Sequence, residues 1–321
     1  MYCMNFRTEV TLPSHPGLIT HDRPVLMLGS CFSDNVGARL ADALFDVCIN
    51  PFGTLYNPAS VASAFHDIKV CRKFYADDLF EYQGRYHSFK HHSKFSGVDS
   101  TQVLENINRA VAEAHDYLSN SSTVVIVTFG TAYVYEKDGC VVSNCHKLPS
   151  ATFGRRRMSV DEIVNVWDKI LSQHTGRIIF TVSPIRHLAD GTHENQLSKS
   201  ILLLAIEQLC DKYENACYFP SYEIMMDDLR DYRFYASDMI HPSEVAVEYI
   251  YKRFAQSTMT LDTFKLSLQC EKLSRRLAHR FMTDNAEAIA QFEQATGEMA
   301  QKLLTSNPCL TRAMEKKIFN L

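Results

Sequence analysis

The stretch PVLMLGSCFSDNVGARLADALFDVCINPFGT, residues 24–54, opens on an apolar run, turns at Gly29-Ser30-Cys31 and continues with amphipathic spacing over 33–44. That order predicts a strand, a tight turn and a helix, with a second short strand at 47–50. The same alternation extends outward. Asn57-Pro58 starts a helix to about 68, and a helix over 101–118 leads into the β-branched strand 123–129, which ends at Gly130-Thr131. Ser159 with Glu162 forms a capping box for a helix to about 173. Strand 177–182 stops at Ser183-Pro184, and helix 195–213, strand 216–219 and a closing helix over 243–255 complete the series. Strands alternating with helices require parallel pairing with helices on both faces. The fold class is therefore α/β, a three-layer α/β/α sandwich with a mostly parallel sheet.

Three segments break the alternation. Residues 71–100 are polar and aromatic without a clear period and read as an insertion or long surface segment. YVYEKDGCVV, residues 133–142, predicts a hairpin around Asp138-Gly139, and 144–158 shows no clear period. Residues 258–321 carry no strand signal. They hold two helical stripes, one through Phe264, Leu268, Leu273, Leu277 and Phe281, the other through Ile289, Phe292, Thr296, Met299 and Leu303 after an Asp284/Glu287 capping box. The chain thus divides into an α/β domain at 1–257 and a helical C-terminal extension at 258–321, which packs on the α/β core or on a second copy.

Composition narrows the function. The 321 residues carry 33 Lys+Arg against 37 Asp+Glu, a net charge of −4, which argues against nucleic acid as a partner. The longest apolar runs fall far short of the ~20 residues that span a bilayer. The N-terminus lacks a basic segment followed by an apolar one, so a cytoplasmic location is expected. Ten cysteines include no CxxC pair, which weakens zinc-knuckle and thioredoxin-like readings. GxGxxG and GxxxxGK[ST] are both absent, so no nucleotide cofactor is expected. His87, His91 and His92 lack matched metal-ligand spacing and read as a polar surface or substrate-facing loop. Arg155-Arg156-Arg157 reads as a solvated patch.

In parallel α/β sheets the working residues lie beyond the carboxyl ends of the strands. Cys31 stands there at a helix start, where free N–H groups favour the thiolate and can lower its pKa below the usual value of about 8.5. Asp238-Met-Ile-His241 puts a carboxylate three residues before an imidazole, so the carboxylate can accept the Nδ1 proton and leave Nε2 as a base. Asp190-Gly-Thr-His193 repeats that spacing in a segment leading into a helix. The bland alternatives are a packed cysteine and a turn-stabilising hydrogen bond.

LGSCFSDNVGARL at 28–40 together with NPFGTLYNP at 50–58 resembles the opening of the GSCFA family, with Ser33 where that name has alanine. TFGTAYVYE at 128–136, SNCHKLP at 143–149, SPIRHLADG at 183–191, ENQLSKS at 194–200 and DDLRDYRFYASDMIHPS at 227–243 resemble the same family, from about 20 to 257. That family is similar to the SGNH (GDSL-like) hydrolases. The resemblance implies an SGNH/flavodoxin-like sheet, Cys31 at the nucleophile position with Ser30 at the preceding aspartate, and Asp238 and His241 as the closing Asp-x-x-His. It places Gly53 as an oxyanion donor. The third block, Gly-x-Asn-Asp in those enzymes, reads Gly130-Thr131-Ala132-Tyr133, so Asn144 or His146 is the substitute donor. The implied activity is hydrolysis or transfer of an acyl group from an ester, such as an O-acyl group on a carbohydrate, through a cysteine acyl-enzyme and without a cofactor. Three alternatives stand beside it: Ser30 as nucleophile from a shifted turn, a non-catalytic glycan- or metabolite-binding module, and a scaffold that forms homo-oligomers through its C-terminal helices.

Overall fold

A strand that is apolar at every position must be covered on both faces, and Val25–Gly29 (β1) is buried at all five residues. The computed structural model, which describes residues 8–282 and 284–319, places it second from the edge of a five-stranded parallel sheet. Cys3 lies outside the described residues. After β1 come helix α1 (Cys31–Asp42), edge strand β2 (Val47–Ile49) and α2 (Pro58–Lys69). A hairpin of β3 (Phe80–Tyr82) and β4 (Arg85–His87) precedes α3 (Ser100–Ser119) and β5 (Val124–Phe129). A separate antiparallel sheet of β6 (Tyr133–Lys137), β7 (Cys140–Val142) and β8 (Gly154–Arg157) leads to α4 (Val160–Leu171) and β9 (Ile178–Val182). Then follow α5 (Thr192–Lys212), β10 (Ala216–Phe219), the single turn α6 (Ser221–Glu223) and α7 (Glu244–Thr258).

The spatial order is β2-β1-β5-β9-β10, all parallel. The chain leaves β1 toward β2, then crosses back to place β5 on the other side. At such a reversal the connections diverge and leave a crevice beyond the carboxyl ends, here between β1 and β5. Helices α2, α3, α4 and α5 cover one face through a core that includes Phe65, Phe129, Trp167 and Phe180. The buried indole N–H of Trp167 donates to Pro58 O at 3.1 Å, so the largest core side chain carries no unmet donor. Helices α1 and α7 cover the other face through Phe32, Val36, Leu40, Ile250 and Phe254. The expected three-layer sandwich is present.

Boundaries shift where caps decide them. Helix α1 begins at Cys31 rather than 33 because Ser30 is its N-cap, and α5 begins at Thr192 rather than 195, after Gly191 at φ 94°. Strand β8 occupies the stretch without a period. Its residues show no apolar alternation because the arginines pair with carboxylates instead: Arg156 with Glu136 at 2.9 Å and Glu162 at 2.7 Å, Arg157 with Glu194 at 2.5 Å, and Arg155 with Asp190. The triple-arginine run is therefore a solvent-facing strand, as expected, whose guanidinium groups are ion-paired.

The 71–100 segment corrects the histidine reading, since His87 and His91 are buried rather than displayed on a polar surface. His91 stacks on Phe52 at 4.4 Å between centroids and meets Phe74 and Phe95 edge-on, while its Nδ1 bonds Ser88 Oγ at 3.0 Å. Burial, reinforced by the Lys90 cation, lowers its pKa to about 3. Because that lies below the unfolded value of about 6.5, neutral His91 stabilises the fold above that pH, and the contribution is lost as pH falls toward the folded value. The denaturant midpoint is expected to drop from about pH 7.5 to about pH 5, and His91→Phe, which keeps the stack, should flatten the decline at up to about 1.4 kcal/mol per pH unit. An unchanged slope in that variant would assign the acid sensitivity elsewhere.

Beyond α7 the described residues form three α-helices rather than two: α8 (Leu261–Leu277), α9 (Ala286–Ser306) and α10 (Thr311–Phe319). The cap of α9 is Asn285, whose Oδ1 accepts from Glu287 N at 3.1 Å and Ala288 N at 3.2 Å, rather than Asp284. The first stripe is also corrected: Leu268 is 46% exposed and Phe281 lies past the end of α8, whose buried residues are Ser267, Cys270, Leu273 and Ser274. These helices pack on the chain's own α/β layer. Cys270, Leu273, Leu303, Leu310, Ala313 and Met314 surround Leu44, and Lys317 pairs with Asp42 at 2.5 Å. No helix among the described residues is long and apolar enough to cross a membrane.

Candidate active site

The turn after β1 is built by close backbone approach. Gly29 has φ 138°, and a Cβ there would fall 2.1 Å from Thr128 O on β5. Its N–H donates to Asn50 Oδ1 at 2.9 Å, its carbonyl accepts from Leu55 N at 2.8 Å, and Ser30 N donates to Thr128 O at 3.1 Å. These bonds fix the entry to α1. Ser30, fully buried, accepts from Phe32 N at 3.3 Å as the helix cap. In this turn the hydroxyl is sealed from the cleft, so Ser30 could act only from a shifted turn.

Cys31, one residue on, is half-buried and lines an open cleft of about 640 Å³. Tyr56, Asn144, Arg155, His187 and His241 line the same cleft. The helix-start expectation for its thiol is reversed. Burial first, then the Asp34 carboxylate, raises the pKa to about 11, although the N–H groups of Cys31 and Phe32 and the Lys199 charge pull the other way. Asp34 is itself held by Asn50 Nδ2 at 2.9 Å and Thr54 Oγ1 at 3.2 Å. The thiol is protonated at neutral pH and needs a base to react.

The loop before α7 carries a histidine that lines the same cleft. Asp238 Oδ1 accepts from the N–H groups of Ile240 and His241 at 2.9 Å each, and Oδ2 meets His241 Nδ1 at 2.6 Å. The backbone bonds from His241 and Ile240 and the imidazole bond hold the Asp238 pKa at about 2. An ionised acceptor selects the tautomer with the proton on Nδ1, leaving Nε2 free to accept one. Met239 at φ 58° and the bonds Ala236 N to His241 O, 2.7 Å, and Arg186 N to Ile240 O, 3.3 Å, shape this loop and tie it to the end of β9. The other Asp-x-x-His pair is separated: Asp190 binds Arg155, and His193 lies exposed in the first turn of α5.

Two expected oxyanion residues have their polar groups engaged elsewhere. Gly53 N–H is committed to Asn50 O at 2.7 Å in a turn with φ 76°, and a Cβ there would lie 2.2 Å from His92 Cβ. Gly53 is thus a turn and packing residue. His146 faces the 71–100 segment, with Nε2 on Ser88 O at 2.8 Å and its ring 4.7 Å from that of His87, and does not line the cleft. Asn144 does line it, and its Oδ1 accepts from His146 N at 2.8 Å.

Helix α5 adds residues that sequence reasoning missed. Asn195 Oδ1 accepts from His187 N at 2.8 Å, and Ser198 Oγ accepts from Ala132 N at 2.8 Å. Lys199 Nζ donates to Gly130 O and Ser183 O, both at 2.7 Å. His187, neutral because burial and then Lys199 lower its pKa to about 3, sets Nε2 so close to Gly130 that a Cβ there would approach to 3.1 Å. The signal was present in the sequence: Asn195, Ser198 and Lys199 continue the inner stripe Leu202, Ala205, Ile206 and Leu209, where polar residues have no solvent to face.

Among the described residues no group of three or more His, Cys, Asp or Glu side chains converges as a metal site. Neither a curated protein nor a solved structure matches the chain. The GSCFA family model matches residues 24–254, a span that holds the whole five-stranded sheet together with Cys31, Asp238 and His241, and the chain belongs to the GSCFA family.

Proposed function

We propose that the chain is an SGNH-like hydrolase or acyltransferase that takes an acyl group from an ester onto Cys31. The observation that carries this reading is that Cys31 shares one cleft, at the carboxyl ends of the parallel strands, with a histidine already hydrogen-bonded to an ionised aspartate. Because the thiol is protonated, His241 Nε2 takes its proton as the sulfur adds to the ester carbonyl, and Asp238 stabilises the resulting imidazolium. Collapse of the tetrahedral intermediate expels the alcohol, which receives that proton, and leaves a thioester on Cys31. Water or an acceptor hydroxyl then attacks the thioester, again with His241 as base, and the thiol is restored. The aromatic side chains of Tyr56, Tyr133, Tyr135 and Phe153 in the cleft, with Arg155 stacked over Tyr133 at 4.8 Å, support an acyl ester on a ring-bearing carrier such as a carbohydrate.

The full chain is expected to turn over a chromogenic acetyl ester, and His241→Ala to lower kcat/KM by about a hundredfold or more. Equal rates in the two proteins would remove His241 from the mechanism. A second reading, a binding module on the same scaffold, is favoured by the thiol pKa of about 11. It predicts saturable glycan or metabolite binding in this cleft with no ester consumed.

A further inference from the structure

Lys199 is completely buried, yet its ammonium is surrounded by carbonyls rather than carboxylates. Nζ donates to Gly130 O and Ser183 O, just past the ends of β5 and β9, and lies 5.6 Å from the ring of Tyr222. An ammonium has three N–H donors, and these two carbonyls account for two. No carboxylate among the described residues pairs with it. Sealing an amine from water with no counter-charge beside it is unfavourable, so a merely structural role at this stripe position is better filled by leucine or methionine. Gly29 pairs with Thr128 and Ser30 N donates to Thr128 O at 3.1 Å, so Cys31 stands beside the end of β5, where Thr128 lies two residues before the Gly130 whose carbonyl holds Nζ. The Cys31 thiol is the ionisable group whose negative charge favours the protonated amine.

We propose that Lys199 is a positioning residue whose charge compensates the negative charge created at Cys31, first on the sulfur and then on the tetrahedral oxyanion. This role deepens the reading of Cys31 as nucleophile and rests on it. No bond to Lys199 forms or breaks, and the proton still passes from Cys31 to His241. Two carbonyls fix the ammonium in a water-excluded pocket, where a fixed charge acts more strongly than in solvent. The surrounding groups define what it works against. Asp34 on α1 opposes it at the thiol, Tyr56 faces the thiol from the loop before α2, Arg186 and His187 lie after β9, Tyr222 lies on α6, and His241 comes from the loop before α7. Burial lowers the Lys199 pKa to about 7, so a negative charge at Cys31 also strengthens protonation of the amine.

Alkylation of Cys31 by iodoacetamide, followed by peptide mass spectrometry from about pH 6 to about pH 10, tests this without any ester. Lys199→Gln retains an amide that can donate to the two carbonyls but loses the charge. Its alkylation rate is expected to fall about tenfold near pH 6, where the amine is protonated, and to converge with that of the unchanged chain toward pH 10, with a native circular dichroism spectrum. An unmoved rate–pH profile in folded Lys199→Gln or Lys199→Met overturns the proposal. If neither neutral variant folds, Asp34→Asn with Lys199 intact decides. With the opposing carboxylate gone, the iodoacetate-to-iodoacetamide rate ratio at Cys31 should exceed that at exposed Cys71 about threefold or more, and equal ratios would contradict a local positive charge. Thiol ionisation responds to Lys199 whether or not the protein turns over esters, so failure here and failure of the acyl-transfer reading are separate results.

Discussion

Cys31→Ala is expected to lower turnover of an acetyl ester by about a thousandfold or more, to the level of the uncatalysed reaction. Alanine is well accommodated at the first position of a helix, so circular dichroism and thermal melting should stay native. The informative comparison is with the residue beside it. Ser30 is fully buried and caps α1, so Ser30→Ala should cost about 1 kcal/mol of stability while kcat/KM stays within about threefold. The two variants therefore separate loss of chemistry from loss of a cap. Were Cys31→Ala to keep its activity and Ser30→Ala to lose it, the nucleophile would lie one residue earlier and the turn after β1 would have to rearrange to expose it.

Gly29→Ala should destabilise the protein by about 3 kcal/mol or more, the sum of a strained backbone and a contact that cannot relax. The added Cβ meets Thr128 at three backbone atoms, O at 2.1 Å, C at 2.8 Å and N at 2.9 Å, and all belong to the buried central strand β5. Gly139→Ala is the control. It has φ 78° with nothing within 4 Å of a Cβ, so it pays the conformational cost of about 1 kcal/mol without the clash. Urea denaturation of both variants measures the difference. A Gly29→Ala midpoint no lower than that of Gly139→Ala would mean that β1 and β5 can separate at the site.

The sheet was legible in the sequence because each central strand is a run of apolar residues and the helices carry their own start signals. Ser159 and Glu162 form the capping box their spacing indicates, with Glu162 N on Ser159 Oγ at 3.1 Å and Ser159 N on Glu162 Oε2 at 2.7 Å. Strand β8 was hidden because its arginines are satisfied by carboxylates that arrive from other elements. Asp238 and His241 were legible as a pair because their spacing closes a local hydrogen-bonded turn. Gly53 and His146 were not, since a motif position says nothing about which acceptor an N–H has already found or which segment a ring faces. The thiol was misjudged for a related reason. A helix start contributes donors at short range, but burial and the Asp34 carboxylate three residues further along α1 outweigh them.

The acyl-enzyme is the species on which the proposed chemistry depends, and it can be observed directly. The full chain is mixed with excess acetyl ester, quenched in acid during turnover and mapped by peptide mass spectrometry. One acetyl group is expected on the peptide that carries Cys31, labile to hydroxylamine as a thioester is, and absent from Cys31→Ala. Ester consumed with the acetyl group on Ser30, or with Cys31 unmodified at every quench time, would contradict a cysteine nucleophile at the end of β1.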